Sequence, residues 1–275
     1  MEYVEVQIEG FEASASESLV AALLGIDYDS FSEEDNHFRA YIPASAYNEE
    51  RLKEILSSLF PEQQVRFTVC RLEDKDWNAE WERNYQPVLI AGKCMIRAPF
   101  HPAVAGVQYD ILIEPKMSFG TAHHETTALM IEWMLDEPVT EKHVLDMGCG
   151  TGVLATLAAK MGAKEVRAID NDPWAFVNAT ENCLRNKLPQ IHVIQGDEGA
   201  IPSGPFDIIL ANINRNILLA QMPVYSRVSR AGAALYVSGF YEEDLEMIRN
   251  KAEEVGFAFS ASRTRNKWMA VKFVK

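Results

Sequence analysis

The sequence predicts an α/β protein in which a doubly wound, mostly parallel sheet follows a small α+β module, and three observations carry that prediction. The first is Val144-Leu145-Asp146-Met147-Gly148-Cys149-Gly150-Thr151-Gly152-Val153-Leu154, which reads as a strand running into a glycine turn and then a helix. The second is a series of apolar runs near 165–169, 191–195, 206–211, 233–238, 257–264 and 267–273 with helical patterns between most of them. Alternating strands and helices imply parallel strands joined by helical crossovers. The third is that only Thr264-Arg265-Asn266-Lys267 separates the last two runs, so they form a hairpin that adds an antiparallel strand. Seven strands result.

The segment ahead of that sheet has a different rhythm. Tyr3 to Ile8 alternates apolar and polar residues as a half-buried strand does. Ser16 and its neighbours can cap a helix that carries Leu19, Val20, Leu23 and Leu24 and stops at Gly25. A hairpin follows, from Asp27–Phe31 through a polar Ser-Glu-Glu-Asp-Asn turn to Phe38–Ile42. A second helix places Leu52, Ile55, Leu56 and Leu59 on one face and ends at Pro61, and Val65–Val69 closes the set as a strand. The order βαββαβ is the split unit of ferredoxin-like modules. Residues 1–70 therefore form one domain, with nothing catalytic in view, and 91–275 the other. Residues 71–90 are a linker with a short helix, whose Trp77, Trp81 and Tyr85 make an aromatic stripe read as packing and whose end is set by Pro87. From Val88, two or three strands lead to Tyr109–Ile113, and a helical pattern then runs from about His123 to Leu135.

Composition narrows the class. No run of about 18 apolar residues occurs, and the N-terminus lacks a basic segment ahead of an apolar one. The expectation is a cytoplasmic protein, neither secreted nor membrane-spanning. Cys70, Cys94, Cys149 and Cys183 lie far apart without a C-x-x-C spacing, which suggests neither disulfides nor zinc. A formal charge of −14 argues against a phosphate backbone as partner and suits a basic protein, although many enzymes are acidic for solubility alone.

The glycine turn specifies its ligand further. Three glycines at alternate positions let a ligand approach where a Cβ would collide. A dinucleotide fingerprint would place its last glycine where this chain has Val153. Asp146 would repel a pyrophosphate yet suit the ammonium of an amino-acid moiety, which points to S-adenosylmethionine, with Gly148 and Gly150 at the binding turn. Asp170 ends the next apolar run, where a carboxylate accepts ribose hydroxyls.

Further candidates sit at other strand ends. Phe206–Asn212 ends at the crevice of an open α/β sheet, so Asn212 is expected to face the methyl group and to hold an acceptor amine through its carbonyl. Asn214 is read as the cap of the helix that follows. The loop from Glu114 to Thr127 can fold over the cofactor, with Phe119 near the adenine and Thr127 near the amino-acid end. Asp197 either accepts from the adenine amino group or is a surface residue. His123 and His124 are adjacent, so they do not face one way on a helix, and no metal is expected.

Taken together, the Asp76-Trp77 to Pro87 connector, the Phe119-Gly120-Thr121-x-His123-His124-x-Thr126-Thr127 loop, the Asp146 glycine motif, Asp170, Ala211-Asn212-Ile213 and the late Trp268 resemble the PrmA family, the methyltransferases of ribosomal protein L11. The resemblance covers the whole chain and implies a seven-stranded class I SAM-dependent methyltransferase (Rossmann-like) domain. It also implies that Thr127, Gly148, Asp170 and Asn212 contact the cofactor, and that the small domain holds the ribosomal protein, free or on the large subunit. Lysine and N-terminal amines are the implied acceptors. The chain departs from the family at Ala122, where a glycine is usual and a left-handed φ would strain an alanine.

Overall fold

The computed structural model describes residues 3–12, 15–34, 37–61, 63–72, 85–116, 120 and 122–275. The chain divides into two compact units, Met1–Tyr85 and Gln86–Lys275.

The first unit contains β1 (Tyr3–Glu9), α1 (Ser16–Leu24), β2 (Ser30–Glu34), β3 (His37–Pro43), α2 (Glu49–Leu59) and β4 (Arg66–Leu72). Its sheet runs β2-β3-β1-β4 with every neighbouring pair antiparallel. Alternation along β1 buries Val4, Val6 and Ile8 on one face, where they meet Leu19 and Leu23 of α1 and Leu52 and Leu56 of α2. Two local readings change. Ser32, Glu33 and Glu34, expected in a turn, belong to β2, which lies at the edge of the sheet. Ser16 lies inside α1 rather than capping it, because Ala15 holds the cap position without a side-chain hydrogen bond. In α2 the cap is Asn48, whose Oδ1 accepts from the backbone N–H of Glu50 and Arg51. The linker helix with Trp77 and Trp81 falls outside the described residues.

In the second unit β5 (Val88–Ile90), β6 (Cys94–Arg97) and β7 (Tyr109–Leu112) make a small sheet, antiparallel between β5 and β6 and parallel between β6 and β7. Then come α3 (Glu125–Leu135), β8 (His143–Met147), α4 (Val153–Lys160), β9 (Glu165–Asp170), α5 (Pro173–Arg185) and β10 (Ile191–Gln195). After them follow β11 (Phe206–Asn212), α6 (Arg215–Val228), β12 (Ser229–Tyr241), α7 (Leu245–Glu254), β13 (Ala258–Arg265) and β14 (Trp268–Val274). The large sheet has the order β10-β9-β8-β11-β12-β14-β13. Pairing is parallel from β10 through β12 and antiparallel where β14 joins β12 and β13.

Period-two alternation sends neighbouring residues of each strand into two cores. Val144, Val166, Ile208 and Leu210 pack with α3, α4 and α5, while Leu145, Ile169, Ile209 and Ala211 pack with α6 and α7. A sheet buried on both faces explains why its strands read as continuous apolar runs. The chain enters at β8, winds outward to β10, then crosses back to β11 on the other side of β8. That reversal leaves a crevice at the carboxyl ends of β8 and β11.

Candidate cofactor and acceptor site

Gly148, Gly150 and Gly152 all have left-handed backbone, with φ of 68°, 54° and 75°. At Gly148 a second constraint applies, since an added Cβ would overlap Cγ2 of Ile213. The loop is tied to the next strand: Gly148 and Cys149 donate their N–H to the Ile169 carbonyl, and Gly150 donates to Asp170 Oδ2 at 2.8 Å. Asp170 Oδ1 accepts from Asp172 N at 3.0 Å, so each oxygen keeps lone-pair capacity toward the crevice.

The opposite wall is built by other elements. Asn212, at the end of β11, donates from Nδ2 to Thr127 Oγ1 at 3.3 Å, and its Oδ1 is buried with no hydrogen-bond partner among the described residues. His124 caps α3, its Nδ1 accepting from Thr126 N. Trp268 of β14 meets the His124 ring edge-on at 4.8 Å and lies against Tyr241 at 4.0 Å. Gly239 has φ of 97°, and a Cβ there would overlap the Ile213 carbonyl, so only glycine lets β12 approach that turn.

These walls enclose a cleft of about 550 Å³. One side is formed by Gly148, Gly150, Asp170, Asn171, Asp172 and Ala175, the other by His124, Thr126, Asn212, Ile213, Asn214, Ile217, Gly239 and Trp268. Pockets for drug-sized ligands span ~300–1,000 Å³, so the space suits a nucleoside conjugate. Among the described residues no three His, Cys, Asp or Glu side chains group as metal ligands.

Of the sequence candidates, Gly148, Gly150, Asp170 and Asn212 line this cleft. Thr127 is buried and stands behind Asn212, orienting its amide; Thr126 takes the lining position. Asp146 is not at the cleft surface. Its carboxylate lies beneath the loop and accepts from Ala155 N at 3.0 Å, which satisfies a free amide of the first turn of α4. Burial pushes that carboxyl from 3.8 up to about 7, against the lowering effect of the Ala155 hydrogen bond and with a smaller push from Asp170. Asp197 also lies outside the lining; it is exposed and accepts from Gly199 N at 2.9 Å, capping its own turn. Asn214 caps α6, accepting from Asn216 N at 2.9 Å. Phe119 falls outside the described residues.

Thr126, Gly239 and Ile213 entered no reading of the sequence as site residues. Gly239 follows the apolar run read at 233–238, so its place inside β12 and the close backbone approach it allows came only with the structure. Ala122 does take left-handed backbone, with φ of 66° and its methyl group buried.

The family model, the curated relatives and one solved structure carry the same family description. The family model described as ribosomal protein L11 methyltransferase (PrmA) matches residues 6–275. A ribosomal protein L11 methyltransferase of Bacteroides fragilis is 47% identical over 260 residues, covering 93% of this chain and 93% of its own. One from Phocaeicola vulgatus is 42% identical over 279 residues, covering 100% and 99%. The crystal structure of ribosomal protein L11 methylase from Lactobacillus delbrueckii subsp. bulgaricus superposes with a TM-score of 0.62 at 28% identity, covering 69% of this chain and 98% of that one.

Proposed function

The chain belongs to the ribosomal protein L11 methyltransferase family, and from that premise we propose that it transfers methyl groups from S-adenosylmethionine to lysine and N-terminal amines of ribosomal protein L11 in the cleft between Asp170 and Asn212. The observation that carries this reading is the Asn212 amide. One of its N–H groups is directed to Thr127 Oγ1, and its buried carbonyl oxygen has no donor among the described residues. An unpaired buried acceptor costs about 1–3 kcal/mol, and an amine N–H of the acceptor would relieve it.

Bound S-adenosylmethionine supplies a methyl group activated by a sulfonium centre. Asp170 accepts from the ribose hydroxyls, and the backbone at Gly148 and Gly150 comes close because no Cβ intervenes. Asp146 contributes from beneath, holding the first turn of α4 against the loop. Asn212 Oδ1 accepts one N–H of the neutral acceptor amine and so aims its lone pair across the cleft.

The acceptor must arrive deprotonated, whereas a free lysine has a pKa near ~10.4. Desolvation against Ile213, Ile217 and Trp268 lowers that value, and a nearby positive charge works in the same direction. Positioning and desolvation therefore carry the rate without a dedicated base. The small unit, Met1–Tyr85, holds the ribosomal protein, and the chain's net charge of −14 favours a basic partner. We place the reaction in the cytoplasm, on L11 free or in the large subunit and without a direct nucleic-acid requirement. No helix among the described residues is long and apolar enough to cross a membrane.

Transfer of labelled methyl from S-adenosylmethionine to purified L11 tests the reading, with peptide mapping of the labelled amines. Label should appear on lysine and N-terminal amines, at a single-turnover rate that rises from neutral to alkaline pH. Binding of S-adenosylmethionine without label on L11 would remove the substrate, and a pH-independent chemical step would remove the mechanism.

A further inference from the structure

Three asparagines stand one helical turn apart on α5 and its end, at 178, 182 and 186. Asn178 and Asn182 are completely buried. Together they bind the backbone that continues from β7. Asn186 accepts from Leu112 N at 3.0 Å and donates to Leu112 O at 2.7 Å; Asn182 Oδ1 accepts from Glu114 N at 2.9 Å; Asn178 Nδ2 donates to Glu114 O at 3.3 Å. Four helical residues advance ~6 Å and two strand residues ~6.6 Å, so an asparagine every fourth position can stand in for a neighbouring strand.

Asn182 differs from the other two. Its Nδ2 leaves the ladder and donates to Thr151 O at 3.0 Å, in the middle of the glycine loop. Thr151 is itself fully buried, and its hydroxyl donates to Gly120 O at 2.6 Å. One amide therefore links the loop that carries Gly148 and Gly150 to Glu114, the root of the segment leading to His124 and Thr126 on the facing wall.

We propose that Asn182 is a positioning residue for S-adenosylmethionine, fixing the glycine loop against residue 114 through the paired hydrogen bonds of one side-chain amide. The proposal rests on the reading that the cleft takes this cofactor. The Thr151 carbonyl sits between Gly150, whose N–H holds Asp170, and Gly152, which holds the cap position of α4. Turning that carbonyl away would move both the loop amides and the ribose carboxylate. Among the described residues no hydrogen bond of the ladder reaches Asn212 itself, so the effect belongs to cofactor affinity and not to the chemical step.

The test compares Asn182→Asp with Asn186→Ala in the full chain, measuring thermal unfolding, the S-adenosylmethionine Kd by calorimetry, and KM and kcat for methyl transfer. Aspartate keeps an acceptor for Glu114 N and for Arg185 Nη1, which lies 3.3 Å from the amide oxygen, but sets a second acceptor against Thr151 O. Asn182→Asp should weaken cofactor binding about tenfold with kcat at saturating cofactor within about threefold of wild type. Asn186→Ala removes both bonds to Leu112 and the one its Nδ2 donates to the Asn182 backbone carbonyl, but leaves the Asn182 side-chain amide in place; it should lower the melting temperature while leaving the cofactor Kd within about twofold. Asn182→Ala serves as a second variant with the same expected direction. Equal cofactor affinity in wild type and a folded Asn182 variant overturns the proposal, as does an equal loss in Asn186→Ala or failure of both Asn182 variants to fold. Absence of binding by the wild-type chain would instead overturn the cofactor reading itself.

Discussion

One wall of the cleft is largely backbone and the other largely side chain, a difference that matches the division between cofactor and acceptor proposed above. The glycine wall is set by φ angles that other residues resist and by N–H groups already committed to Ile169 and Asp170. The Asn212 wall gathers side chains from α3, β11, α6 and β14 and keeps one buried oxygen unsatisfied. A wall with its hydrogen bonds made is preorganised for a ligand that is the same in every turnover, whereas an open acceptor marks where a different group must enter and leave.

The largest expected effect lies where the walls meet. Gly148→Ala forces a Cβ into Ile213 and keeps a left-handed φ, which together should cost about 3 kcal/mol in denaturant unfolding and abolish measurable cofactor binding. A variant that unfolds like wild type would mean the walls part freely there. Next is Asn212→Ala, which should lower kcat about 100-fold while changing the S-adenosylmethionine Kd less than about threefold. Equal losses in both quantities would erase the distinction between the walls. Asp170→Asn should do the converse. It sets an amide N–H against Asp172 N or Gly150 N and raises the cofactor KM about tenfold, with kcat nearly retained, as steady-state kinetics would reveal.

The smallest effect concerns the ground beneath the glycine wall. The Asp146 carboxyl is raised in the folded protein from 3.8 to about 7, so folding favours its neutral form. Its contribution to stability is therefore present below about pH 4, falls as pH rises toward 7, and is constant above. Asp146→Asn lacks this ionisation and retains an acceptor for Ala155 N. Its melting temperature should gain on wild type by a few degrees between pH 5 and pH 7.5. A difference that does not change with pH would show that Asp146 is ionised throughout.

Ala122 also separates what is legible from what is not. Its departure from glycine was visible in the sequence, as was the strain that a left-handed φ would bring, at ~1–2 kcal/mol. That the loop keeps this conformation, with the methyl group packed in the core, depended on neighbours from other elements. Asp170 and Asn212 were legible because strand ends in a doubly wound sheet face a common crevice, and a strand end is a local pattern. Thr126 and Trp268 were not placed at the site by any local pattern. They lie far apart in the chain, and the Trp268–His124 contact exists because the terminal hairpin inserts β14 beside β12.

By itself the sequence determined the order of strands and helices around the glycine turn, the turn itself and the family, since these follow from periodicity, glycine spacing and short motifs. Only the tertiary structure decided which way each carboxylate points. Asp146 and Asp197 occupy strand ends much as Asp170 does, yet one turns inward to cap α4 and the other caps its own turn at the surface. The reason is that hydrogen bonding and burial depend on what a neighbouring strand or helix presents. A free amide at Ala155 captures one carboxylate, while the glycine loop folded over β9 offers Gly150 N to another.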